Sequence, residues 1–129
     1  MTPQAQTIVV VEDEPAAADL FGEMLKLHHY RVTKVHSSTG ALSVIRSAKP
    51  DAVLLDIMMP DVSGLEVLRF MRREPDLRRI PVVIVSAKTL PSDIKAGMEA
   101  GATEYLTKPV DLNTLLKTVR KVIGNATTG

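Results

Sequence analysis

Five side chains in this 129-residue sequence could do chemistry together: Glu12, Asp13, Asp56, Ser86 and Lys108. Each stands just past a short run of strand-forming residues. Ile8-Val9-Val10-Val11 precedes the acidic pair, Ala52-Val53-Leu54-Leu55 precedes Asp56, Val82 to Val85 precedes Ser86, and Glu104-Tyr105-Leu106 lies before Lys108-Pro109. Singly, each has an ordinary role: first-turn acids suit a helix macrodipole, an Asp or Ser after a strand suits a turn or cap, and a Lys suits solvent. Brought to one sheet edge they mean something else. Crowded carboxylates repel, so an acidic pocket without a cation raises some of their pKa values and costs stability. Oxygen-only donors, with no His or Cys among them, point to a hard divalent cation, Mg2+ first and Mn2+ second. With such a cation, the pocket can hold a phosphoryl group despite its acids. Lys108 would neutralise one phosphoryl oxygen and Ser86 could donate a hydrogen bond to another. Asp56, the remaining carboxylate, would be the nucleophile and would carry an aspartyl phosphate.

That chemistry requires elements that deliver the five residues to one place. Thr7 to Val11 is a continuous apolar run, as expected of a strand buried on both faces. Pro15 opens a helix whose stripe is read as Ala17, Leu20, Phe21, Met24 and Leu27. Arg31 to Val35 alternates, which suits a strand near a sheet edge, and Ala41, Val44, Ile45 and Ala48 form a helix that Lys49-Pro50 ends. Ala52 to Leu55 is the third strand. Ser63 and Glu66 have capping-box spacing before a helix with Val67, Leu68 and Met71 inward. Pro81 to Val85 is the fourth strand, and Leu90, Ile94 and Met98 mark a weaker helix closed by Gly101. Glu104 to Leu106 is a brief fifth strand. Asp111 caps a last helix with Leu112, Leu115, Leu116, Val119, Val122 and Ile123 on one face and Gly124 at its end, leaving 125–129 as a frayed tail. Strands alternating with helices imply parallel pairing in a doubly wound α/β sandwich. In such sheets ligands bind beyond the carboxyl ends of the strands, where all five residues fall.

Composition narrows the function further. The length suits one compact domain, taken as 1–129 with its core at about 6–123. Sixteen basic against fifteen acidic residues leave a net charge of +1, so no broad pull toward nucleic acid or membrane is expected. Aromatics are only 3% of the chain, too few for base-stacking platforms. No cysteine is present, which excludes disulfides and thiolate metal sites and fits a cytoplasmic protein. Met1 to Gln6 has no charged or apolar signal region, and no apolar run is long enough to span a bilayer.

Four blocks in order resemble response-regulator receiver domains of two-component signalling, the CheY-like superfamily. They are Val9-Val10-Val11-Glu12-Asp13-Glu14-Pro15, Leu54 through Gly64, Ile84-Val85-Ser86-Ala87-Lys88, and Gly101-Ala102 through Lys108-Pro109. The resemblance covers about residues 6–123. It implies a flavodoxin-like sheet of order 2-1-3-4-5 and a phosphoacceptor at Asp56. Asp13 would bind Mg2+ directly, Glu12 through water, and the Met58 backbone carbonyl would be a further ligand. Ser86 matches the switch hydroxyl, Lys108 the phosphate-binding lysine, Pro109 the residue after a cis bond, and Tyr105 the aromatic that turns inward. Glu12 and Ser86 depart from the commoner Asp and Thr. Met58 and Lys88 match neighbours that tune phosphate loss, or are a filler side chain and a surface charge.

The resemblance implies a signalling domain that catalyses its own aspartyl phosphorylation and dephosphorylation, rather than a turnover enzyme. Its partners would be a sensor histidine kinase or phosphotransfer protein and a downstream protein target, with the switch centred on 90–123. No effector domain is read after Ile123, and the same sequence would serve as the receiver of a larger regulator or hybrid kinase. Three alternatives stand beside it. A phosphatase with an aspartyl nucleophile would place a second acid two residues on, where Met58 stands. A flavodoxin-type carrier would need a Ser/Thr/Gly-rich first loop, where Glu12-Asp13-Glu14 stands. A pseudo-receiver would keep the fold without phosphorylation. Lys117, Arg120 and Lys121 read as a solvated helix face.

Overall fold

In the computed structural model, residues 5–128 are described, the last two through their backbone alone. Five strands alternate with five helices: β1 Thr7–Val11, α1 Pro15–Leu27, β2 Arg31–Val35, α2 Ala41–Ala48, β3 Ala52–Leu55, α3 Gly64–Arg73, β4 Val82–Ser86, α4 Pro91–Ala100, β5 Glu104–Thr107 and α5 Leu112–Thr128. The strands form one parallel sheet of order β2-β1-β3-β4-β5. Because successive side chains point to opposite faces, each central strand feeds two cores. Val9, Val11, Val53, Leu55 and Ile84 join Ile45 of α2, Leu68 and Met71 of α3 and Ala100 of α4. Ile8, Val10, Leu54, Val83 and Val85 join Phe21 and Leu25 of α1 and Leu115 and Val119 of α5. The sheet is thus covered on both sides, and its crossovers deliver the carboxyl ends of β1, β3, β4 and β5 to one edge.

Several element details differ from the sequence reading. On α1, Leu20 is 54% exposed and Leu27 is 77% exposed, while Ala18, Phe21, Gly22, Met24 and Leu25 are buried. At about 100° per residue, both leucines fall roughly opposite Ala18. Small residues let the helix lie close to the sheet instead: a Cβ at Gly22 would stand 3.5 Å from Val32 Cγ1. At α4, Leu90 just before the helix and Met98 within it are likewise exposed, and the buried positions are Gly97 and Ala100. A Cβ at Gly97 would come within 2.8 Å of the Tyr105 ring, so the absence of a side chain is what lets α4 cover β5. Strand β4 begins at Val82 because Pro81 has no N–H to give; its carbonyl still accepts from Val53 at 2.9 Å. β5 runs one residue further, to Thr107.

Only half of the expected capping box forms at α3. Ser63 Oγ accepts the Leu65 N–H at 3.2 Å, but the Glu66 carboxylate bonds to Arg69 one turn on. Asp111 receives the Thr114 hydroxyl at 3.2 Å and the Leu115 N–H at its carbonyl, so it does open α5. That helix does not stop at Gly124; it continues to Thr128, so 125–128 is helix rather than tail. The expectations for 1–4 and for Gly129 lie outside the described residues. Helix continuation outweighs the entropic preference of one glycine, worth about 1 kcal/mol. A Cβ at Gly124 meets nothing within 4 Å, so Gly124→Ala should stabilise the protein by roughly 0.5–1 kcal/mol in urea unfolding. Among the described residues, no helix is long and apolar enough to cross a membrane.

Candidate functional site

The site is built from residues that sit one step beyond the sheet while still tied to it. Glu12 donates its N–H to the Val35 carbonyl at 2.9 Å, Asp56 donates to Val11 at 2.9 Å, and Lys108 donates to Ser86 at 2.8 Å. Each bond extends a strand ladder by one residue. The backbone is therefore fixed where the side chain turns toward the carboxyl edge. Ser86 is the last residue of β4 rather than the first after it, and it is fully buried. Glycine completes the packing around the central acid. A Cβ at Gly64 would stand 2.6 Å from the Asp56 carbonyl oxygen and 2.7 Å from Ile57 Cα, so only glycine lets α3 start there.

The side chains meet as an ionic cluster. Lys108 Nζ lies 2.6 Å from Glu12 Oε1 and 3.2 Å from Asp56 Oδ2. Glu12 is 2% exposed and Asp56 6%, so both carboxylates are withdrawn from water beside one ammonium. Asp56 Oδ1 also accepts the Met58 N–H at 2.9 Å, which fixes the carboxylate's orientation. Carboxylate oxygens of Glu12, Asp13 and Asp56 all come within 4.8 Å of one another. A single ammonium against three acids leaves net negative charge at this edge, which a small divalent cation with oxygen ligands would balance. The donor set thus fits Mg2+.

Burial is the main cause that pushes the Glu12 carboxyl up to about 7; Lys108 opposes it, and the neighbouring Asp56 adds to it. For Lys108, burial pulls the ammonium down, yet the bond to Glu12 and the charge of Asp56 outweigh this and the net shift is upward. Between its ordinary value of 4.5 and about 7, Glu12 holds a proton in the folded chain that the unfolded chain has released. The contribution of Glu12 to the stability of the metal-free protein therefore falls as pH rises through that window. Urea unfolding in a chelator at about pH 5 and about pH 7.5 should show the wild type losing up to roughly 3 kcal/mol more than Glu12→Gln.

Beyond the cluster, two further residues join the β4–α4 loop to β5. Ser86 Oγ accepts the Lys88 N–H at 3.1 Å, and the Tyr105 hydroxyl donates to the Lys88 carbonyl at 2.8 Å. Tyr105 is partly buried and pairs in register with Ile84; burial raises its phenol, with Ser86 opposing. The Lys108–Pro109 bond is cis. Met58 is 48% exposed and lines an open cleft with Asp13, Pro60, Ser63 and Lys88. Of the residues named from the sequence, Glu12, Asp13, Asp56 and Lys108 are brought together directly. Ser86 and Tyr105 meet one step away, through Lys88. A residue that sequence reasoning passed over is Asp61, whose carboxylate receives N–H groups from Ser38 and Thr39. Its signal in the sequence was only that of a polar loop residue after Pro60.

Known proteins are similar to this chain in sequence and in shape. A family model described as response regulator receiver domain matches residues 8–120. PilH of Pseudomonas aeruginosa is 38% identical over 116 residues, spanning 90% of this chain and 96% of PilH. The polar-differentiation response regulator DivK of Brucella ovis is 31% identical over 121 residues, spanning 94% of this chain and 98% of DivK. The receiver domain of a Pseudomonas aeruginosa sensor histidine kinase superposes with a TM-score of 0.86 at 31% identity. That superposition covers 93% of this chain and 98% of the other, whose crystal structure has a magnesium ion coordinated in its active-site cleft.

Proposed function

Because the chain belongs to the response-regulator receiver family, we propose that it takes a phosphoryl group onto Asp56 and passes the change to a partner protein. The observation that carries this is the pairing of a buried carboxylate, Asp56, with Lys108 at the mouth of an acidic cluster. The donor is a phosphohistidine on a sensor kinase or phosphotransfer protein. The P–N bond breaks as an Asp56 oxygen forms a P–O bond, and the imidazole leaves with the bonding electron pair. Glu12, Asp13, Asp56 and the Met58 carbonyl would hold Mg2+, which supplies charge neutralisation for the transferring group. Lys108 neutralises a phosphoryl oxygen, and the backbone bonds that fix Asp56 hold it in line for attack. Water later hydrolyses the acyl phosphate, returning the carboxylate.

Phosphorylation also supplies a signal. Ser86 and Tyr105 both bond to Lys88, so a phosphoryl oxygen that draws the Ser86 hydroxyl away changes the contacts of that loop. Support for a switch in α4, β5 and α5 comes from Gly97, which seats α4 directly on the Tyr105 ring. Shifting Tyr105 therefore changes the seat of α4. Intact mass after incubation with acetyl phosphate tests the reading. With Mg2+ a labile gain of about 80 Da is expected, and with excess chelator none, because the acyl phosphate forms only at a neutralised site. A folded, Mg2+-binding protein that never gains this mass, from acetyl phosphate or from phosphohistidine donors, would sink it.

A further inference from the structure

The β2–α2 loop touches both walls of the site without contributing to its chemistry. On one side the His36 ring Nδ1 lies 3.1 Å from the Glu12 carbonyl oxygen. On the other, the loop grips the segment that follows the phosphoacceptor. Asp61 Oδ2 accepts the Thr39 N–H at 2.9 Å and the Thr39 hydroxyl, while Oδ1 accepts the Ser38 N–H at 3.3 Å. Ser38, only 4% exposed, sends its hydroxyl to the Val62 carbonyl and lies 3.7 Å from the Met59 sulfur. These contacts join positions 21 to 24 residues apart, and every one lands within six residues of Asp56 or on Glu12.

We infer that Asp61 is a positioning residue for the cation. Clasped to Ser38 and Thr39, it sets the gap between the Glu12–Asp13 wall and the Met58 segment, the two sides that would supply ligands to Mg2+. The inference rests on the function proposed above, since it presumes Mg2+ in this cluster. Its physical basis is that a small cation demands near-ideal octahedral distances, so a ligand segment free to drift binds it poorly. The 58–63 stretch has exposed residues at Met58, Pro60, Asp61, Val62 and Ser63, so apolar burial anchors it mainly at Met59. Hydrogen bonds must supply the remaining restraint. Asp61 suits the task because its Thr39 bonds hold its carboxyl well below the usual range, keeping it an acceptor at any ordinary pH.

Calorimetric titration of the full chain with MgCl2 tests this, at a temperature where circular dichroism shows each variant folded. Asp61→Ala is expected to weaken Mg2+ binding on the order of tenfold, the usual size for loss of an orienting outer contact. Asp61→Asn keeps an acceptor for the Thr39 N–H while removing the charge, and should stay within about threefold of wild type on the same scale. Ser38→Ala, which leaves the charge untouched, should fall between them. In phosphorylation assays Asp61→Ala should raise the Mg2+ concentration needed for half-maximal rate and leave the rate at saturating Mg2+ close to wild type. Asp61→Ala binding Mg2+ like wild type overturns the inference. So does an Asn variant as weak as the Ala variant, since long-range charge would then explain the loss. Wild-type protein that binds no Mg2+ at all overturns the reading of the site itself, and the clasp's role with it.

Discussion

Asp56→Asn is expected to gain no phosphoryl group under conditions that fully modify the wild type. Asparagine keeps the shape, and its side-chain oxygen can still accept the Met58 N–H that orients Asp56 at 2.9 Å. What it lacks is an anionic oxygen able to attack phosphorus. The change also removes one of two buried acids facing Lys108, so the metal-free variant should be no less stable than wild type. Mass spectrometry gives the first readout and urea unfolding the second. Stoichiometric phosphorylation of Asp56→Asn would move the acceptor elsewhere. An unfolded variant would mean that the Met58 contact does not survive the exchange.

Lys108→Ala should separate two roles that the wild type combines. In the metal-free protein the ammonium is the counter-charge for Glu12 and Asp56, both nearly inaccessible to water. Removing one partner of a buried pair typically costs about 3–5 kcal/mol. Lys108 keeps a 24% exposed side chain and Glu12 can retain a proton, so about 2–3 kcal/mol is expected here. Saturating Mg2+ should return most of that loss, because a cation replaces a cation. Phosphoryl transfer should not recover in the same way. In the function proposed above, Lys108 neutralises a transferring oxygen, and losing such a group costs roughly 10²–10³ in rate. Unfolding curves with and without Mg2+, beside acetyl phosphate kinetics, separate the two effects. Equal wild-type and variant stability without metal would show that the ammonium carries no structural charge.

The architecture was readable because its signals are local. Three strands, β1, β3 and β4, are continuous or nearly continuous apolar runs, and the edge strand β2 alternates in burial much as its sequence alternates in polarity. The site followed from the fold, since the sheet edge collects whatever stands after each strand. What failed were inferences from side-chain size. Leu20 and Leu27 read as core because leucine usually is, yet α1 turns Ala18 and Gly22 to the sheet, where close approach outweighs bulk. Leu90 and Met98 misled in the same way, and Gly97 was overlooked for having nothing to bury. Gly124 resembled a stop because a lone glycine near a helix end usually is one, but α5 continues past it. The Asp61 clasp had no sequence signature. Its partners lie 22 and 23 residues earlier in a loop, where no periodicity links the two sides.

The direction of α5 has a practical corollary for anyone who instruments this molecule. The helix starts at Leu112, beside the acidic edge, and its 17 residues carry the chain about 25 Å toward the opposite rim of the sheet. Thr7 enters at that same rim, where its N–H bonds to Asp51. Both attachment points therefore face away from Asp56. A fluorophore, a surface tether or a host protein's loop can be joined at either one without shadowing the acidic mouth, so the fold lends itself to insertion as a sensor cassette.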